Sequence, residues 1–100
     1  MSKTYYSDYV KHALRFYTRY YHPPVLFKTE ADRANWLACD DVFKTYADTD
    51  VKMLFEVYSG RDTLADEVYN AAKKRNIDQN IIWDLMKAIE YKIAKKRNLI

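Results

Sequence analysis

A chain of 100 residues with net charge +3, 49% hydrophobic and 31% charged residues, has the length of one domain and the composition of a folded one. Its single glycine (Gly60) and two prolines (Pro23, Pro24) leave almost no material for hairpin turns, bulges or phosphate-cradling loops, so an all-α bundle of about five helices is expected. A lone cysteine, Cys39, excludes an internal disulfide framework and a cysteine-built zinc cage.

The polar start "MSKTYYSDYVK" lacks the apolar core of a signal peptide, and no apolar run approaches the ~18 residues of a membrane span. The expected location is therefore cytoplasmic, without a membrane partner. The charge is unevenly spread. Residues 1–28 carry five Lys/Arg and one acid, residues 29–60 three against seven, and residues 61–100 nine against six. Basic ends flank an acidic middle. A basic end can meet phosphate, or simply place cations at the negative pole of a helix.

The first helix is expected over Thr4 to Tyr21. Tyr6, Val10, Ala13, Tyr17 and Tyr20 follow three- and four-residue spacing and form one face. Tyr5, Tyr9, His12 and Phe16 form a second apolar strip beside it, a candidate surface for a partner. "HPP" at 22–24 ends the helix, because proline removes a donor and turns the preceding residue away from helix.

After an extended "VLF", Thr29 and Asp32 make a capping-box-like start, and Trp36, Cys39, Phe43 and Tyr46 share a face with Leu37 and Val42 alongside. Asp48 is read as the cap of a short third helix whose Val51, Leu54, Phe55 and Tyr58 point inward. Gly60 then stops it, being free to take positive φ. In the fourth helix Asp62 or Thr63 caps, Asp66 completes a box, and Leu64, Val68, Ala71 and Ala72 are buried. The fifth runs from Gln79 towards Arg97 with Ile82, Leu85, Ile89 and Ile93 inward. No internal repeat, low-complexity tract or linker is read in the chain.

The junction of the last two helices, "AAKKRNIDQNIIWDLM", meets the steric demands of a helix-turn-helix. Ala72 is the small residue that lets the second helix cross closely, and Asn76 tolerates the left-handed turn. Ile77 plugs the turn, Asp78 caps the next helix, and Ile82 and Leu85 anchor it.

Residues 48–100, from "DTDVKMLFEVYSG" through "AAKKRNIDQN" to "AKKRNLI", resemble the region-4 helix-turn-helix of sigma-70-type factors. They are also similar to the small ArpU- and RinA-like regulators of phages and mobile elements. The resemblance implies a transcription regulator that binds double-stranded DNA without catalysis or cofactor. On it, Gln79, Asn80 and Trp83 would read bases, amides pairing with adenine edges and the indole packing on sugar or a thymine methyl. Lys73, Lys74, Arg75, Lys87, Lys95, Lys96 and Arg97 would hold phosphate. Where such proteins carry further cations this chain has Asp84, which needs a cytosine amino group, Lys87 or Lys74 as its partner.

The other reading is a non-enzymatic protein-binding module. Tyrosine and tryptophan dominate interface hot spots, so the Tyr5/Tyr9/His12/Phe16 strip could form a homodimer or dock on a host protein such as RNA polymerase or a nuclease. Residues 1–47 would then be the aromatic-rich binding part of the single domain, and residues 48–100 its scaffold. Cys39 with His12 or His22 is read as core filler rather than as a nucleophile and base. Adjacent Asp40 and Asp41 splay apart on a helix, a poor geometry for one metal.

Overall fold

The computed structural model describes residues 6–21 and 26–100. Among these the fold is all-α, with five helices: α1 Ser7–Arg19, α2 Glu30–Phe43, α3 Asp48–Ser59, α4 Leu64–Arg75 and α5 Gln79–Lys96. Tyr5 of the aromatic strip, the start expected at Thr4, and the "HPP" stop lie outside the described residues. No described helix is long and apolar enough to cross a membrane.

α1 packs on α2, α3 and α5 at once, while α4 closes against α3 and α5. Its inward face is Val10, Ala13, Leu14 and Tyr17, with Ser7 and Thr18 at the ends. That face is rotated from the expected one: Leu14 is fully buried, and Tyr20 is 59% exposed. Ser7 and Thr18 are small at these ends, and the Thr18 hydroxyl donates to the Leu14 carbonyl at 2.9 Å. In α2 the buried set is Ala38, Cys39, Val42 and Phe43; Trp36 packs partly buried against them, and Leu37 faces out. Burial, and then the nearby Asp40 charge, pushes the Cys39 thiol up to about 12.

α3 buries Met53, Leu54, Val57 and Tyr58, and Val51 and Phe55 only flank the core. Its two ends differ from expectation. The N-cap is Ala47, with no side-chain cap, and Asp48 and Asp50 lie inside the first turn where their charge suits the positive helix pole. Gly60 is extended (φ −62°, ψ 158°) rather than left-handed.

The last carbonyls of α3 are satisfied from another helix. Arg15 and Arg19 of α1 donate to the Gly60 carbonyl at 2.8 and 2.7 Å, placing two cations on the negative helix pole. A Cβ at 60 would meet the Glu67 carboxylate, the far end of a flexible side chain. That carboxylate accepts from the Asp62 N–H at 3.1 Å, and the Thr63 hydroxyl accepts from Asp66 N–H at 3.2 Å. Thr63 is thus the cap of α4, and Glu67, not Asp66, is the residue that reaches back.

In α4, Val68, Ala71 and Ala72 are buried, and in α5 Ile82, Met86, Ile89, Ile93 and Ala94 are. Leu85 is partly buried beside them. The polar residue in this row is Glu90, 5% exposed, in phase with Met86 and Ile93. It was not singled out in the sequence, although an acid on an apolar helical face is itself a signal. Its Oε1 takes the Lys11 ammonium at 2.8 Å and faces the Ser7 hydroxyl at 3.4 Å; its Oε2 takes the Tyr58 hydroxyl at 2.7 Å. Desolvation, reinforced by the Glu90 charge, raises the Tyr58 phenol well above its usual range. One buried cluster therefore ties α1, α3 and α5 together.

Candidate nucleic-acid interface

The α4–α5 corner is built as its residues require. Asn76 takes left-handed φ 55°, and its side chain is exposed. The Ile77 N–H returns to the Ala72 carbonyl at 3.0 Å and the Asn76 N–H to Lys73 at 3.2 Å, the paired bonds of a Schellman stop. Ala72 is 2% exposed, a small residue packed where the chain turns. Asp78 then caps α5, accepting from the Asn80 N–H at 2.8 Å. Its carboxylate is thereby engaged in holding the helix.

The end of α5 repeats this construction. Asn98 is left-handed (φ 58°), and the Leu99 N–H bonds the Ala94 carbonyl at 2.9 Å. The sequence holds a short repeat here: "YNAAKKRNI" (69–77) and "YKIAKKRNL" (91–99) share Tyr, Ala, Lys, Lys, Arg and Asn at matching positions. The reading of no internal repeat is corrected accordingly. The repeat is one helix stop used twice: an alanine close to the core, cations at the negative pole, a left-handed asparagine and an apolar plug.

Burial and pairing sort the basic residues. In the first copy Glu56 of α3 takes Arg75 at 3.2 Å and Lys74 at 3.3 Å. Arg75 first and then Lys74 hold the Glu56 carboxyl below its usual range. In the second copy Arg97 Nε donates to Asn35 Oδ1 at 2.6 Å, and Lys96 lies 3.9 Å from Asp41, both half exposed. Lys73 and Lys95 remain, each over the ring of the tyrosine one turn before it, Tyr69 at 5.9 Å and Tyr91 at 5.5 Å. Lys73, Lys87 and Lys95 make no ion pair among the described residues. Of seven cations assigned to phosphate, three stand clear of any carboxylate or amide.

On α5, Asn80, Asp84, Lys87, Tyr91 and Lys95 recur at three- and four-residue spacing, and all are exposed. Gln79 and the partly buried Trp83 lie on the flank shared with α4. Asp84 pairs with neither of its expected internal partners: Lys74 is held by Glu56, and no bond to Lys87 forms. Gln79, Asn80 and Trp83 do come together. With Tyr69, Ala72, Lys73, Ile77 and Asp78 they line a cleft of about 580 Å³ open to solvent. Tyr69, half exposed, is the member that helical periodicity could not assign.

The α1 strip is partly consumed internally. Asn35 Nδ2 donates to the Tyr9 hydroxyl at 3.0 Å while its oxygen holds Arg97, so Tyr9 links α1, α2 and the end of α5. The Asn35 bond, assisted by Arg97, lowers the Tyr9 phenol's pKa. Phe16 packs on Tyr20 and Phe27 with ring centroids at 5.3 and 6.4 Å, and His12 is exposed. Among known proteins, no family model, curated protein or solved structure matches the chain.

Replacing either left-handed asparagine tests whether the two stops matter equally. Asn76→Ala is expected to cost about 1–2 kcal/mol relative to Asn76→Gly, since a Cβ at positive φ is strained. Asn98→Ala, at the same left-handed geometry (φ 58°), should cost a similar amount. Urea midpoints at constant m-value measure both.

Proposed function

We propose that the chain is a small non-enzymatic DNA-binding regulator in which α4 and α5 act as a helix-turn-helix. The observation that supports it is the corner itself, where the Ala72–Ile77 stop presents Gln79, Asn80 and Trp83 on one open surface beside Lys73. Amide side chains there suit base edges, and Lys73, Lys87 and Lys95 suit phosphate. With cations so few, the duplex is held weakly and specificity rests on α5. RNA polymerase is the partner such a regulator would engage.

Duplex binding across a salt series tests this reading. Three clear cations, with Lys96 as a fourth once it leaves Asp41, correspond to a log–log slope of about −2.7 to −3.6. All seven would give about −6.3. The double variant Gln79→Ala/Asn80→Ala should bind a selected sequence about tenfold or more weakly at unchanged slope. Failure to bind at low salt, or binding indifferent to the double variant, would overturn base reading by α5.

A second reading, a protein-binding module, is favoured by a different surface from the α1 strip. Tyr21, Phe43, Tyr46, Val51 and Phe55 line an open hollow of about 630 Å³ between α1, α2 and α3, richer in apolar than polar surface. The homodimer form of this reading is checked by solution mass. A dimer that Tyr9→Ser leaves intact and Phe55→Ser disrupts would move the partner surface to this hollow.

A further inference from the structure

The two copies of the nine-residue repeat allow a comparison inside one molecule. Each ends a helix in the same way, and each carries an exposed tyrosine with a lysine over its ring: Tyr69 with Lys73, and Tyr91 with Lys95. Tyr69 is 50% exposed and Tyr91 48% exposed. Only the first copy borders the α4–α5 cleft. There Tyr69 and Trp83 line one concave space. Ala72 and Ile77 supply apolar surface, and the Gln79 and Asn80 amides lie alongside. The cleft is not a helix-terminus anion site, because Asp78 already occupies the Asn80 N–H and puts its own negative charge there.

This combination suits a flat, uncharged ring carrying a neighbouring phosphate better than it suits a duplex backbone. Two aromatic walls offer stacking, which any base can use. The amides can donate or accept at a base edge, and Lys73 is a cation free of carboxylate beside one of the rings. The carboxylates of Asp78 and Asp84 oppose a close approach by a double row of phosphates, but a single strand carries half that charge density.

We propose that the cleft between Tyr69 and Trp83 binds one unstacked nucleobase of a single strand, with Lys73 on the adjoining phosphate. This rests on the reading of the chain as a nucleic-acid binder and changes what that site takes: a strand with a base turned outward, in addition to or instead of an intact major groove. Trp83 is then a stacking wall rather than a thymine-methyl contact.

The test is fluorescence polarisation with a labelled oligothymidylate of roughly a dozen nucleotides, a span that covers one such site, against a duplex of equal length, at low and moderate salt. Tyr69→Ala should weaken strand binding about tenfold at both salts, because stacking is not screened. Tyr69→Phe, which keeps the ring, should stay within about twofold of wild type. Tyr91→Ala, the same substitution at the tyrosine that stands apart from the α4–α5 cleft, should leave strand binding unchanged. Tyr69 is half exposed, so its loss leaves the fold intact; thermal melts of all three variants verify that.

Equal loss from Tyr69→Ala and Tyr91→Ala, or no loss from either, overturns the cleft as a base site. If the strand is indifferent to Tyr69 while the duplex depends on Gln79 and Asn80, this inference falls and the helix-turn-helix reading stands. If the strand depends on Tyr69 and the duplex is not bound, the inference stands and duplex reading falls. Absence of binding to both ends both.

Discussion

Lys11→Met is expected to destabilise the protein by about 3–5 kcal/mol, the cost of leaving a buried carboxylate without its cation. Glu90 is 5% exposed, and the Lys11 ammonium at 2.8 Å is its only ion-pair partner among the described residues. The Tyr58 and Ser7 hydroxyls would remain, but neutral donors offset only part of the cost of a buried charge. Against a total stability of about 5–15 kcal/mol for a domain, this is a large fraction. The partner experiment is Lys11→Met/Glu90→Gln. Removing the charge as well should recover more than half of the loss, because the amide oxygen still accepts from Tyr58. Urea unfolding of the wild type, the two single variants and the double variant gives the coupling. Independent, additive losses would mean that the pair is not the unit that holds α1, α3 and α5 together.

Tyr17→Ala is expected to cost about 3–5 kcal/mol, and Tyr17→Phe about 1–2 kcal/mol. Tyr17 is 1% exposed, and its ring meets Trp36, Phe43 and Phe55 at centroid separations of 5.1, 5.3 and 5.5 Å. Truncation therefore opens a cavity where α1, α2 and α3 join and removes several aromatic pairs at once. The smaller effect of phenylalanine isolates the hydroxyl, which donates to Asp40 at 2.7 Å. Asp40 keeps Lys44 at 3.0 Å, so it is not left alone. Burial first, and the Asp40 bond second, raise the Tyr17 phenol above its usual range. Near-ultraviolet circular dichroism and urea midpoints distinguish the two variants. A Phe variant as unstable as Ala would show that the hydroxyl, not the ring, carries the position.

The helical corner was the most legible part of the site. Ala72, Asn76, Ile77 and Asp78 act locally, within one turn of chain, so residue type and spacing define their roles before any packing is known. Thr29 as the cap of α2 was legible for the same reason; its hydroxyl accepts from Asp32 N–H at 3.1 Å. Gly60 misled because its use is tertiary. It stays extended, while arginines from α1 do the capping that a left-handed glycine would have done. The repeat at 69–77 and 91–99 was present in the letters, yet it spans a single helix stop rather than a whole element.

The candidate phosphate contacts were legible as cations and not as available cations. Lys74 and Arg75 look identical to Lys73 in sequence, but the packing of α3 brings Glu56 to them and not to Lys73. Arg97 is likewise taken by Asn35, which lies on α2 and also holds Tyr9.

The sequence alone determined that this chain is all-α and where the α4–α5 corner falls, because glycine and proline scarcity, apolar periodicity and caps act over a few residues. Only the tertiary structure decided which charges stay free, that Glu90 is buried with Lys11, and that Tyr69 faces the same cleft as Trp83. Those facts depend on residues far apart in the chain meeting in space, and no local pattern encodes such a meeting.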